Sequence, residues 1–107
     1  MTHTALNPSI LRDTAAQVVE KLKVLANPER LLLLCELSQG ERCVSDLEAA
    51  LDIHQPTLSQ QLGVLRTEGV VLTRREGKRI YYRVADEKLL ALLATLYSLY
   101  CPQEATS

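Results

Sequence analysis

Apolar positions along the chain recur first at helical spacing, then in a strand-like stretch, then at helical spacing again. Leu11, Ala15, Val18, Leu22 and Leu25 predict a first helix over residues 9–25, with Ser9 as its cap. Asn27-Pro28-Glu29 combines a cap, a proline in the first turn and an acid at the positive helix end, so a second helix is expected over 28–38, stopped by Gly40. Leu31, Leu32, Leu33, Leu34 and Leu37 make it apolar almost all round, the pattern of a central buried helix. The third helix has two candidate starts. Ser45 with Glu48 forms a capping-box pattern, and Cys43 with Asp46 has the same spacing and a weaker cap. Val44, Leu47 and Leu51 point inward from either start. Asp52-Ile53-His54 reads as a turn. Pro56 then opens a fourth helix whose buried side is Leu58, Leu62 and Leu65, and Gly69 stops it.

The period changes at Val70. Residues 70–75 and 79–84 are rich in β-branched and aromatic side chains and flank Glu76-Gly77-Lys78, a hairpin signal. A last helix over 86–100 carries Leu89, Leu90, Leu92, Leu93, Leu96 and Leu99. It is more apolar than one small core requires, which predicts a dimer interface shared with the first helix. The expected fold is mainly α with a small β-hairpin. Residues 9–101 form its single domain, between a disordered N-terminus over 1–8 and a flexible tail over 102–107.

Two short helices joined by a tight turn over 45–69 read as a helix-turn-helix. The free face of the second carries Pro56, Thr57, Ser59, Gln60 and Gln61, small or amide-bearing and uncharged. Amides and hydroxyls hydrogen-bond base edges in a major groove, whereas a merely solvated face is usually rich in Lys and Glu. Gln55, Thr57, Ser59, Gln60 and Gln61 are therefore the candidate base readers. Gly63 weakens this helix, and close approach by DNA or another backbone accounts for it. A helix-turn-helix followed by a basic hairpin is the winged-helix arrangement. Its tip residues Arg74, Arg75, Lys78 and Arg79 are placed for phosphates or a minor groove.

Charge sharpens this picture. The 107-residue chain has a net charge of −1, but residues 54–83 hold six basic residues against Glu68 and Glu76, so that segment is +4 and the remainder −5. A basic face on an otherwise acidic protein suits phosphate contact. Trp and Phe are absent, leaving the core to Leu, Val and Ala. The longest apolar stretch, 89–101, is too short to span a bilayer, and no secretory leader pattern opens the chain, so no membrane partner is expected and the cytoplasm is the default. Three cysteines, Cys35, Cys43 and Cys101, make no secreted disulfide framework. In a reducing compartment they are free thiols, metal ligands or redox sensors. No paired carboxylates, Ser/His/Asp arrangement or phosphate loop suggests catalysis, so no catalytic residue and no cofactor is expected. A thiol enzyme and a pure protein-interaction module are the competing classes. The amide face and the wing arginines favour DNA.

LANPERLLLL (25–34), CVSDL (43–47), QPTLSQQLGVLRTEGVV (55–71) and RREGKRIYYRV (74–84) together resemble the ArsR/SmtB family of dimeric winged-helix repressors, over about three quarters of the chain. The resemblance implies a homodimer on an inverted-repeat operator, with the fourth helices in successive major grooves. Gln61 departs from the His that many members carry there. The zinc-type site needs Asp and His pairs on the last helix, and this one has no His, so no metal site is expected there. The arsenic-type CVC segment is here Cys43-Val44-Ser45, with one thiol missing. An arsenite or soft-metal sensor would have to join Cys43 to Cys35 or Cys101. LLLLCEL and LYSLYCP instead look like the family's sulfide- and persulfide-responsive branch. That likeness implies that Cys35 and Cys101 lie close together within one subunit. It further implies that reactive sulfur or an oxidant links them by a disulfide or polysulfide bridge, and that the bridge releases DNA. On residue character alone, Cys35 remains a small core residue, Cys101 a helix end and Cys43 either a helix cap or a reactive thiol.

Overall fold

The computed structural model describes residues 7–102. In chain order it holds α1 (Pro8–Leu25), α2 (Pro28–Leu37), β1 (Arg42–Cys43), α3 (Val44–Leu51), α4 (Thr57–Thr67), β2 (Val71–Glu76), β3 (Arg79–Val84) and α5 (Glu87–Tyr100). The expected disorder over 1–8 and flexible tail over 102–107 fall outside the described residues except at Asn7, Pro8 and Pro102. Asn7 and Pro8 belong to the start of α1. Asn7, not Ser9, is the cap: its Oδ1 accepts from the backbone N–H of Ser9 at 2.9 Å and of Ile10 at 3.4 Å. Proline then takes the first helical position, where its missing N–H costs nothing.

Asn27 caps α2 by accepting from the Arg30 N–H at 3.0 Å. Of the two candidate starts for α3, the earlier one forms. Cys43 is the capping residue, and the Asp46 carboxylate accepts both its N–H and its S–H at 3.2 Å. Asp52 ends α3 in the left-handed region at φ 55°, a conformation that Asp tolerates better than most residues. β1 was not anticipated. It is two residues long and pairs antiparallel with β3, Arg42 with Tyr82 and Cys43 with Tyr81, giving the sheet order β1-β3-β2. In the β2–β3 hairpin Glu76 faces Arg79 across the two-residue loop Gly77-Lys78. Gly77, at φ 63°, supplies the positive φ that a tight hairpin turn needs.

The core is built by α2. Leu33, Leu34 and Leu37 are fully enclosed, together with Leu47 of α3, Leu58, Leu62 and Leu65 of α4, Val70, and Leu93 of α5. The i, i+4, i+7 pattern of α4 thus holds as expected. Leu32 departs from the expectation of an all-round buried α2, because it is exposed. The helical stripe on α1 is real but mostly uncovered: Val24 and Leu25 are buried, while Leu11, Val18 and Leu22 face outward. α5 buries only Leu89 and Leu93 and leaves Tyr97, Leu99 and Tyr100 exposed. A groove of about 490 Å³, bordered by Val18, Lys21 and Leu22 of α1 and by Asp86, Leu89 and Leu92, runs between these two helices. No helix among the described residues is long and apolar enough to cross a membrane.

Candidate nucleic-acid interface and thiol pair

Burial of Leu58, Leu62 and Leu65 turns the opposite face of α4 outward. Gln60 lies nearly opposite the buried side, and Ser59 and Gly63 beside it are exposed. A Cβ added at Gly63 would meet nothing within 4 Å, so no neighbour in this chain requires the glycine. Thr57 is half-buried. Gln55 precedes the helix, and its Oε1 accepts from the Ser59 N–H at 3.0 Å, which fills a donor at the start of α4. Its amide nitrogen remains for other partners. Gln61 lies on the flank of α4 toward α2, half-buried, and its Oε1 accepts from Nη1 of Arg30 at 3.1 Å. The five candidate readers are therefore not equivalent. Ser59 and Gln60 are free, Gln55 doubles as a helix cap, and Gln61 is already engaged.

The wing divides its basic residues by strand register. Arg74 pairs with Tyr81 and Glu76 with Arg79 on one sheet face, while Arg75 pairs with Ile80 on the other. Arg74 is occupied. Its Nε donates to both Glu41 carboxylate oxygens at 2.9 and 3.0 Å, Nη2 reaches Glu41 at 2.9 Å and Nη1 reaches Glu76 at 3.3 Å. Its guanidinium carbon also sits 4.7 Å from the centre of the Tyr81 ring. These carboxylates, Glu41 first, hold the Arg74 charge more firmly than usual. Arg79 is likewise held charged, chiefly by the Tyr81 oxygen and then by Cys43 and Asp46. Arg75 and Lys78 are exposed and form no ion pair among the described residues. Glu41 carries no motif that marks it in the sequence. Only the hairpin, folding back over residues 33 positions away, reveals its role.

The thiols fall into two places. Cys35 of α2 and Cys101, which caps the end of α5, line one cavity of about 730 Å³ with Leu32, Leu51, Leu93 and Tyr97. Cys35 is half-buried and Cys101 exposed. Burial first, and the neighbouring Cys101 sulfur second, push the Cys35 thiol up from its ordinary value. Cys43 is only 2% exposed and lines a separate cavity with Val44, Ser45, Lys78 and Arg79. Its Sγ lies 3.3 Å from the Ser45 hydroxyl and donates to Asp46. The Cys43 thiol and then its backbone N–H, both donating to Asp46, lower the Asp46 pKa. Among the described residues no group of three or more His, Cys, Asp or Glu is placed to hold a metal ion.

Residues 27–73 match the family model described as bacterial regulatory protein, arsR family. The biofilm growth-associated repressor of Agrobacterium fabrum is 57% identical over 90 residues, which is 84% of this chain and 77% of that protein. The crystal structure of the transcriptional repressor BigR from Xylella fastidiosa superposes with a TM-score of 0.84 at 45% identity, covering 92% of this chain and all of that one. The solution structure of the homodimeric winged helix-turn-helix DNA-binding domain Mb0332 from Mycobacterium bovis gives 0.69 at 37% identity, covering 92% and 89% of the two chains.

Proposed function

Since the chain belongs to the ArsR family of bacterial regulatory proteins and is a winged-helix transcriptional repressor rather than an enzyme, we propose that it acts in the cytoplasm as a homodimer on an inverted-repeat operator. Residues 9–101 work as one unit, and bridging of Cys35 to Cys101 releases the DNA. The observation that carries the effector reading is the shared cavity, in which the two thiols of one chain face the same space and Cys101 acts on the Cys35 charge. The dimer reading is supported by the uncovered apolar faces of α1 and α5 and the groove between them. Ser59 and Gln60 read bases, Gln55 and Thr57 support them, and Arg75 and Lys78 meet phosphate. Arg74 braces the wing through Glu41 and Glu76, and Arg79, exposed at the hairpin tip, joins Arg75 and Lys78.

The chemistry follows from exposure. The Cys101 thiolate attacks the terminal sulfur of a small persulfide, RSSH, giving Cys101–SSH and RS⁻. The Cys35 thiolate then attacks the Cys101 sulfur, the disulfide closes, and hydrosulfide leaves with the electron pair. The two thiols lose two electrons and the transferred sulfur gains them. A second sulfur added before closure yields a trisulfide with the same balance. The bridge ties α2 to the end of α5, so it favours one arrangement of the dimer helices and hence one separation of the two α4 helices. A hundredfold loss of operator affinity corresponds to about 2.7 kcal/mol of difference between the arrangements.

A mobility-shift titration on the chain's own promoter, with and without a persulfide donor, tests this. The reduced protein binds, the treated protein releases, and mass spectrometry finds the Cys35–Cys101 link. Release by Cys35→Ser and Cys101→Ser variants as readily as by the wild type would rule the bridge out. Release by arsenite that Cys43→Ser abolishes would replace it with a soft-metal reading.

A further inference from the structure

Arg30 joins three helices through one side chain. It sits in the first turn of α2, half-buried, with its backbone held by Asn27. Its Nε donates to the Val24 carbonyl at 2.8 Å and its Nη2 to the Lys23 carbonyl at 3.3 Å, both in the last turn of α1. Its Nη1 donates to Gln61 Oε1 on α4 at 3.1 Å. The Lys23 carbonyl also accepts from the Ala26 N–H at 3.3 Å, whereas the Val24 carbonyl, at the helix end, is left to the guanidinium. A planar fork with five donors is suited to holding three acceptors from separate elements in fixed directions. No other side chain among the described residues hydrogen-bonds both to α1 and to α4.

We infer that Arg30 is a positioning residue for operator recognition, and that Gln61 is the strut by which it holds α4 in register with α1 rather than a reader of bases. The inference rests on the reading above, in which α1 belongs to the dimer interface and α4 enters the major groove. Gln61 points from the flank of α4 toward Arg30, about a third of a turn from Gln60. An arginine offers only donors, so Gln61 must turn its oxygen inward. With its oxygen turned toward Arg30, the amide does not present oxygen and nitrogen together to the groove, as the paired contact that identifies adenine requires. Because α1 is fixed to the dimer axis and α4 to the DNA, the Arg30–Gln61 link sets how strictly the protein enforces the distance between half-sites.

The full-length reduced protein is tested on duplexes chosen by the wild type from a randomised pool, each remade with one base pair inserted between the half-sites. The wild type discriminates against the insertion by about tenfold, and Arg30→Met and Gln61→Leu each reduce that ratio to about twofold. Base preferences within each half-site stay unchanged, and the double variant is no worse than either single one. Arg30→Met removes helix-end hydrogen bonds, so thermal melting is followed alongside. Gln61→Leu alters only the half-exposed end of the link and decides the matter if Arg30→Met does not fold. The inference is overturned if folded Gln61→Leu keeps the wild-type spacing ratio, or if it loses preference at a particular base pair, since Gln61 would then be a reader. A wild type that selects no sequence from the pool would instead remove the operator reading itself, and this inference with it.

Discussion

Helices α4 and α5 anchor themselves alike and end differently. Each buries leucines spaced by four, Leu58 and Leu62 in one and Leu89 and Leu93 in the other. On the free side α4 shows Ser59, Gln60 and Thr67, whereas α5 shows Tyr97, Leu99 and Tyr100. A folded chain tolerates either surface, but they need different neighbours. A face of hydroxyls and amides remains in water at little cost until base edges replace that water. An apolar face this size is stabilised by removal from water, which the proposed second copy of the chain would supply.

The largest expected effects test the shared half of this comparison. Leu58→Ala and Leu93→Ala should each cost about 2–5 kcal/mol in urea unfolding, because both side chains are enclosed. A cost below about 1 kcal/mol for either would mean that its helix is not anchored as described. The next effect separates the free faces. Leu99→Asp should shift the protein from dimer to monomer in sedimentation equilibrium, with operator affinity lost alongside. Gln60→Ala should leave the dimer intact and cost about 1–3 kcal/mol of operator binding at one base pair per half-site. A Leu99→Asp protein that stays dimeric at the same concentration would place the interface elsewhere.

The wing offers a smaller contrast of the same kind. Lys78→Ala should reduce the slope of log affinity against log salt by about 1, while Arg74→Ala should change it little, because Glu41 already neutralises that guanidinium. Equal slopes for the two variants would show that the Glu41–Arg74 pair opens on DNA. Below that comes Gly63→Ala. With no Cβ neighbour within 4 Å it should stabilise the free protein by about 1 kcal/mol and still weaken operator binding. Unchanged affinity would mean that DNA does not approach the glycine. The smallest effect is on the acid side. The folded Asp46 pKa lies below its ordinary value, held there by Cys43, so its contribution is complete above the usual carboxylate range and fades as pH falls through the lowered pKa. Asp46→Asn should remove that part of the pH dependence of the melting temperature, and an unaltered acid limb would assign it to other carboxylates.

Local rules made most of the fold legible. Proline and asparagine placed the start of α2, leucine spacing placed α4, and Gly77 placed the hairpin turn. Rules of the same range err by a residue or two at caps: they name Ser9 where Asn7 caps α1, and they leave the start of α3 open between Ser45 and Cys43, which the Cys43–Asp46 contact decides. β1 was invisible because two residues carry no period. In the candidate site, the exposure of Ser59 and Gln60 followed from helix phase alone. The engagement of Gln61 by Arg30 and of Arg74 by Glu41 did not. Each links residues more than 30 positions apart, and only the packed chain brings them together. Cys35 and Cys101, 66 positions apart, are paired in the sequence by resemblance alone; that both line one cavity is visible only in the fold.

Helix α2 is only ten residues long and packs against α1, α3, α4, α5 and β3. Arg30 lies near its beginning and Cys35 five residues later, roughly 7.5 Å along the axis. So short a helix, held on all sides, behaves as a crossbar rather than a spring. The proposed thiol bridge and the proposed strut to α4 therefore start from the same ten-residue element, and a bridge that shifted α2 as one body would carry Arg30 with it.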